Sequence, residues 1–339
     1  MAQKSQEPRR QTHAERRAEQ RAKAQARAEQ QAKERKQQTI IGVIVIAVVV
    51  ALLAVAGVAV YRSLHPQASG GESSGTDLTV EQAHEQLKTL DSRPTNADDE
   101  GGILISKDGY GKAVENVPTI GIYMDFICPG CGSVNRQLDA NLTKLVDAGQ
   151  INLDLHFMAF MDRFSTDDYS SRAANAILYV SDHDSNPDHL LHAVQNLYAE
   201  GFQPQEGSAY VPVSDEQIKE QLTNAGVPEE VAGKAATRSY DDWLNAVFGY
   251  TPHQENLQNS EGQMSTPTVT INGHRWDMNS AGGSSTMFDA LLNAIGLKPD
   301  QVGVKGDLPS IGAEGKPITK SHGRGWRTAE KPNIFRGSP

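Results

Sequence analysis

The chain has 339 residues, 38% of them hydrophobic, enough for a sizeable core and one or two domains. Its net charge of −10 averages two unlike regions: residues 1–38 hold 11 Lys and Arg against 5 Asp and Glu, a net of +6, which leaves −16 for the rest. An acidic body argues against DNA or RNA as a partner, because phosphate binding needs a basic footprint. With only two cysteines, three positions apart, the chain excludes a disulfide scaffold spread through a small domain and a zinc site closed by paired cysteine clusters.

Residues 1–38 are rich in Ala, Arg, Gln and Glu and show no apolar stripe beyond alanine, so they read as a solvated basic arm of high helix propensity. Residues 39–61 carry no charge, and 23 residues at ~1.5 Å each suffice to cross a ~30 Å hydrocarbon layer. The run is longer than the ~7–15 apolar residues of a cleaved signal peptide, and no cysteine follows it closely for lipid attachment. A retained, single-pass signal anchor is the expectation. Eleven basic residues precede the span and only Arg62 follows closely, which puts the arm in the cytoplasm and everything after residue 62 on the outer face of the cell membrane.

Residues 62–77 form a linker, Ser/Gly-rich from 66 onward. Residues 78–100 read as a short amphipathic helix, with a capping box at Thr79 and Gln82, followed by a loop. Strand character appears at 102–106 and 118–126, a helix at 134–148 and a strand at 151–159, which together make a βαβ unit. From about 165 to 262 the periodicity is helical, in pieces at 172–180, 187–199, 215–224, 228–236 and 240–249. Strand character returns at 267–271. Asn272-Gly273 is a hairpin-turn signal, with 274–276 as the return strand and 287–295 as a closing helix. Residues 298–339, rich in Gly, Pro and Lys, read as an extended or disordered tail.

The chemistry concentrates at Cys128-Pro129-Gly130-Cys131, where a strand ends and a helix begins. With Cys128 as N-cap, Pro129 takes the first helical position, where its missing N–H costs nothing. Cys131 then lies one turn along on the same face. The free N–H groups and dipole of the helix favour a thiolate at Cys128, the expected nucleophile, and Cys131 is the shielded resolving thiol. The bland alternatives are a static disulfide, which so short a loop makes nearly useless, and half of a metal site. For the latter the nearest ligands are His156, His183, His189 and His192; the acidic stretch around the last three reads as a solvated helix end. No metal and no cofactor are expected, since the sulfur pair itself carries the electrons.

The run Asp125-Phe126-Ile127-Cys128-Pro129-Gly130-Cys131, with Ser265-Thr266-Pro267-Thr268-Val269 and Ile271-Asn272-Gly273, resembles the active site of the DsbA-like thioredoxin-fold oxidoreductases. The resemblance covers roughly residues 101–297. It implies an α/β thioredoxin-like fold (βαβ, then ββα) with a large helical insertion at about 165–262, which accounts for the 139 residues between Cys128 and Pro267. It implies that Pro267 is a cis-proline facing the cysteines and keeps metal-binding or over-reactive side chains away from Cys128. It also implies that Thr266 meets an extended substrate peptide, beside Pro129 and Gly130. Two departures stand out. The buried acid that many relatives carry six positions before the first cysteine is replaced by Ile122. Asp125, which strand alternation places on the opposite side, is either its substitute as a proton relay or a solvated strand-end residue. The Pro-Gly pair also lacks the histidine of the strongest oxidants, which implies milder oxidising power.

Three functions follow. The first is a thiol oxidase that forms disulfides in exported proteins with free thiols and is reoxidised by a quinone-linked membrane partner. The second is an isomerase or reductase built on the same chemistry. The third is a redox-inactive peptide-binding module whose helical insertion is the working part.

Overall fold

The computed structural model describes residues 79–278, 286–320 and 326–327. The arm, apolar span and linker expected over 1–77 lie outside the described residues; among those described, no helix is long and apolar enough to cross a membrane.

The domain opens with helix α1 (Val80–Thr89), whose start is set locally. The Thr79 hydroxyl accepts the Gln82 N–H, and the Gln82 side chain accepts the Thr79 N–H at 2.8 Å, the reciprocal capping expected from the sequence. Ala83 and Leu87 form its buried face. Strands β1 (Ile103–Ser106) and β2 (Gly109–Tyr110) form a hairpin. Next come β3 (Thr119–Asp125), α2 (Pro129–Asp147) and β4 (Asn152–Met158), the expected βαβ unit, with β3 and β4 parallel and Tyr123 opposite His156. A helical segment follows: α3 (Tyr169–His183), α4 (Pro187–Leu197), α5 (Asp215–Asn224), α6 (Glu229–Ala232) and α7 (Asp241–Tyr250). It fills the interval for which the sequence predicts helices.

One predicted piece shrinks. Residues 228–236 form only the single turn α6, after which Gly233 closes the turn onto the Glu229 carbonyl. The Thr237 hydroxyl then caps the Ser239 N–H, a local bond that competes with helix continuation.

The chain returns to the sheet as β5 (Thr268–Ile271) and β6 (His274–Arg275), and closes with α8 (Met287–Ile295). Between β5 and β6, Asn272 and Gly273 have φ of 50° and 73°, the positive pair that an Asn-Gly hairpin turn supplies at little cost. The sheet order is β2-β1-β4-β3-β5-β6, mixed, with β3 at the centre beside parallel β4 and antiparallel β5.

Both faces of β3 are buried. On one, Ile120, Ile122 and Met124 join Leu153, Leu155 and Phe157 of β4 in the apolar core, with α2 packed over Ile122, Leu153 and Leu155. The other is polar: Thr119, Gly121, Tyr123 and Asp125 align with Asn152, Asp154, His156 and Met158 on β4, while Thr268 and Thr270 of β5 lie opposite Tyr123 and Gly121. Elements α3 and α7 also reach β4, so the edges of this polar row are covered rather than left in water.

Past α8, where the sequence predicts an extended or disordered tail, the described residues include a 3-10 turn at Pro299–Gln301 and a short antiparallel pair of Thr319–Lys320 with Trp326–Arg327, and residues 298–318 are tied down. The Gln150 amide donates to the carbonyls of Gln301 and Asp307, the Asn272 amide donates to Gly312 and Gly315, and Ile318 N–H reaches the Ala294 carbonyl at 2.9 Å. These bonds are invisible in composition, because each joins the tail to a residue far away in the sequence.

Candidate active site

Strand β3 ends at Asp125, and three residues later Cys128 caps α2. Cys128 has extended dihedrals (φ −65°, ψ 119°), and its sulfur accepts the Cys131 N–H at 3.5 Å. Pro129 takes the first helical position, as the cap requires. Helix α2 therefore begins five residues before the apolar periodicity at 134 announces it. The two cysteines are free thiols, one turn apart on one helix face.

The sulfurs sit in different surroundings. Cys128 is 6% exposed, with Pro129 and Gly130 beside it at the surface. A hydrogen bond from the Cys131 thiol, the Cys131 and Gly130 N–H groups and a contact with Thr266 together outweigh burial and bring the Cys128 thiol down to about 7. Cys131 is fully buried, and burial, the bond to Cys128 and the negative charge there push its thiol well up. One group is poised to attack and the other to stay protonated.

The peptide bond Thr266–Pro267 is cis, and the Cys128 thiol donates to the Thr266 carbonyl at 3.6 Å. Gly130 approaches Pro267 closely: a Cβ at 130 would lie 3.0 Å from the proline Cδ. Cys128, Pro129, Gly130, Cys131, Thr266 and Pro267 are thus brought together from two distant stretches of sequence.

Asp125 joins them from beneath. It is fully buried, which removes the solvated strand-end reading: the alternation of β3 tells which face Asp125 takes, but that face is covered. Its carboxylate accepts from the Ser170 hydroxyl, from Met161 N–H at 3.0 Å and from Ile127 N–H at 3.2 Å, and its own N–H points at the Cys131 sulfur at 3.4 Å. Burial dominates these bonds and, helped by the charge at Cys128, raises the carboxyl to about 7. The site thus holds two groups that titrate near neutrality and one that does not. Among the described residues, no group of three or more His, Cys, Asp or Glu side chains could hold a metal ion.

Residues 112–292, over half of the chain, match the sequence model of a family described as thioredoxin. The chain belongs to the thioredoxin family. Comparison with curated protein sequences finds no match. Among solved structures, the chain is similar to MdbA, a thiol-disulfide oxidoreductase from Actinomyces oris, at 18% identity over 64% of this chain and 96% of that one, with a TM-score of 0.48. It is also similar to reduced DsbA from Mycobacterium tuberculosis, at 24% identity over 54% and 89% of the two chains, with a TM-score of 0.39. A third is reduced DsbG, a disulfide bond oxidoreductase from the same organism, at 25% identity over 56% and 88%, with a TM-score of 0.42.

Within this thioredoxin-family site, three contributors escape a reading of the sequence. Ser170, at the start of α3, and the backbone of Met161 hold the Asp125 carboxylate, and Gln203, in the loop after α4, holds the backbone around Cys128. None belongs to a motif. Ser and Gln are ordinary helix-end and loop residues, and only the fold brings them to the cysteines.

Proposed function

We propose that this chain is a protein thiol-disulfide oxidoreductase that forms disulfides in exported proteins through Cys128 and Cys131. The observation that carries the reading is the division of labour between the sulfurs, with an activated, surface-edge Cys128 over a buried, protonated Cys131.

In the oxidising direction, a substrate thiolate attacks the Cys128 sulfur of the 128–131 disulfide. A substrate–Cys128 mixed disulfide forms, and the electron pair of the broken bond leaves on Cys131. The buried Cys131 sulfur then takes a proton, because burial makes its thiolate costly. Asp125, titrating near 7 and electrostatically coupled to both sulfurs, is placed to relay that proton. A second substrate thiolate attacks the substrate sulfur and releases Cys128 as the stabilised thiolate. The substrate loses two electrons, and the cysteine pair gains them. The Thr266 carbonyl, at the mouth beside Cys128, with Pro129 and Gly130 at the surface, is where an extended substrate backbone would lie. Pro267 closes the site against Gly130 and presents no metal-binding or nucleophilic group to the sulfur.

Turnover requires an external oxidant of the reduced pair, and a quinone-linked membrane protein is the class that fits. The apolar, uncharged run at 39–61 after a basic arm supports a single-pass anchor with the thioredoxin domain outside the cytoplasm, where disulfides persist. Cys128→Ser should abolish oxidation of a reduced peptide; retained oxidation would remove the assignment. The direction of flow is read from the reduction potential: a value near about −120 mV supports the oxidase, and one near about −270 mV supports a reductase fed by a transmembrane electron donor.

A further inference from the structure

Gln203 lies in the loop that follows α4, within the helical segment and remote in sequence from both cysteines. Its Nε2 donates to two carbonyls at once, Phe126 at 3.1 Å and Cys128 at 2.9 Å. Its Oε1 accepts from Arg136 Nη1 at 3.1 Å, and the same guanidinium nitrogen donates to the Tyr198 carbonyl at 2.7 Å. The amide orientation is thereby determined, because a flipped amide would set two donors against Arg136 and an oxygen against two carbonyls. The loop itself is held by Phe202 and Gln203 N–H groups on the Ala199 carbonyl.

The helix has made room for this side chain. A Cβ at Gly132 would lie 2.0 Å from Gln203 Oε1 and 2.6 Å from Arg136 Nη1, so any larger residue at 132 would drive the pair apart. Glycine in the first turn of a helix is otherwise unfavourable by about 1 kcal/mol.

We propose that Gln203 is a positioning residue for Cys128: a clamp from the helical segment that fixes the strand-to-helix connection carrying the reactive sulfur. The proposal deepens the exchange reading and rests on it. Residues 126–128 have no regular structure of their own, yet they must keep the Cys128 sulfur over the Cys131 N–H and under the Thr266 carbonyl. Gripping the carbonyls on both sides of Ile127 holds that geometry. The positive end of the amide, backed by Arg136, also faces the segment where the thiolate charge develops. The Cys131 N–H held at the sulfur and the positive end of the amide favour the thiolate, and with it the reduced form of the pair.

The test is the Gln203→Leu protein, which keeps the side-chain bulk and loses the donors. Its thiolate absorbance is titrated against that of the wild type, and its equilibrium with glutathione is measured. The expected result is a thiolate that forms at higher pH and a disulfide about three- to tenfold less oxidising, the scale of one or two lost hydrogen bonds. Gln203→Glu, which also lacks the donors and adds a negative charge, should shift at least as far, and Gly132→Ala should shift the same way from the helix side. A lowered melting temperature with an unmoved titration and an unmoved glutathione equilibrium would overturn the clamp and leave only a structural role. The comparison is with the wild type whatever its own value. A wild-type Cys128 with an ordinary thiol titration would therefore count against the exchange reading, while a Gln203→Leu shift from that value would still uphold the clamp.

Discussion

Two acidic groups on the same polar face of the sheet behave differently, and the contrast explains the chemistry. At the cysteine end, Asp125 is fully buried with three hydrogen-bond donors and, among the described residues, no cationic partner; the charge that acts on it is the like charge of Cys128. Further along, Asp154 meets His156 at 2.9 Å. Burial works against the His156 imidazolium, but the Asp154 carboxylate, with Asp98 and Glu100 behind it, prevails and lifts the imidazole. Asp98 is raised by its own burial and then by Asp154. One site is a carboxyl raised toward neutral pH; the other is a charge paired within β4, beside the Asp98 carboxyl of the loop before β1. The same residue type on the same face is a raised carboxyl or one member of an ion pair according to whether a cation lies beside it.

That contrast can be broken most forcefully at the paired site. His156→Leu leaves the half-buried Asp154 without its partner and should cost toward about 3–5 kcal/mol, the scale for removing one member of a buried pair. Chemical denaturation at pH 6 measures this, and a loss below 1 kcal/mol would show that the pair is not structural. The His156 contribution is full below the unfolded imidazole value of about 6.5 and fades as pH rises through its raised folded value.

Asp125→Asn probes the other site through pH. The folded carboxyl holds its proton up to about 7, whereas the unfolded one releases it near 3.9. Raising the pH between these values therefore favours the unfolded wild type. Relative to Asp125→Asn, the wild type should lose up to about 4 kcal/mol between pH 4 and pH 7, and little more above that. Parallel stability profiles for the two proteins would refute a buried, raised carboxyl. Smaller still is Ser170→Ala, which removes one bond to the carboxylate. It should raise the Asp125 titration further by the equivalent of about 1 kcal/mol, read from the carboxyl resonance by NMR.

The legible parts of this protein are those whose chemistry is local in the chain. The cap at Cys128, the proline at 129, the Asn272-Gly273 turn and the Thr79–Gln82 box each need only residues within a few positions, so their spacing already specifies them. Pro267 was legible through its resemblance to a family motif, not through spacing. Asp125 was half legible. Alternation along β3 assigns its face, but only the tertiary layer over that face shows that the carboxyl is dry. Gln203, Ser170 and the Gln150 bonds to the tail were not legible at all. They join distant residues of common polar types, and no periodicity records such a pairing.

The central claim is that the two sulfurs differ in thiolate character, and site-resolved alkylation of the reduced protein as a function of pH tests it most directly. The account predicts that Cys128 is modified with a midpoint near 7 while Cys131 stays unmodified well into alkaline pH. Equal modification of both cysteines, with a common midpoint at the ordinary thiol value of about 8.5, would contradict it.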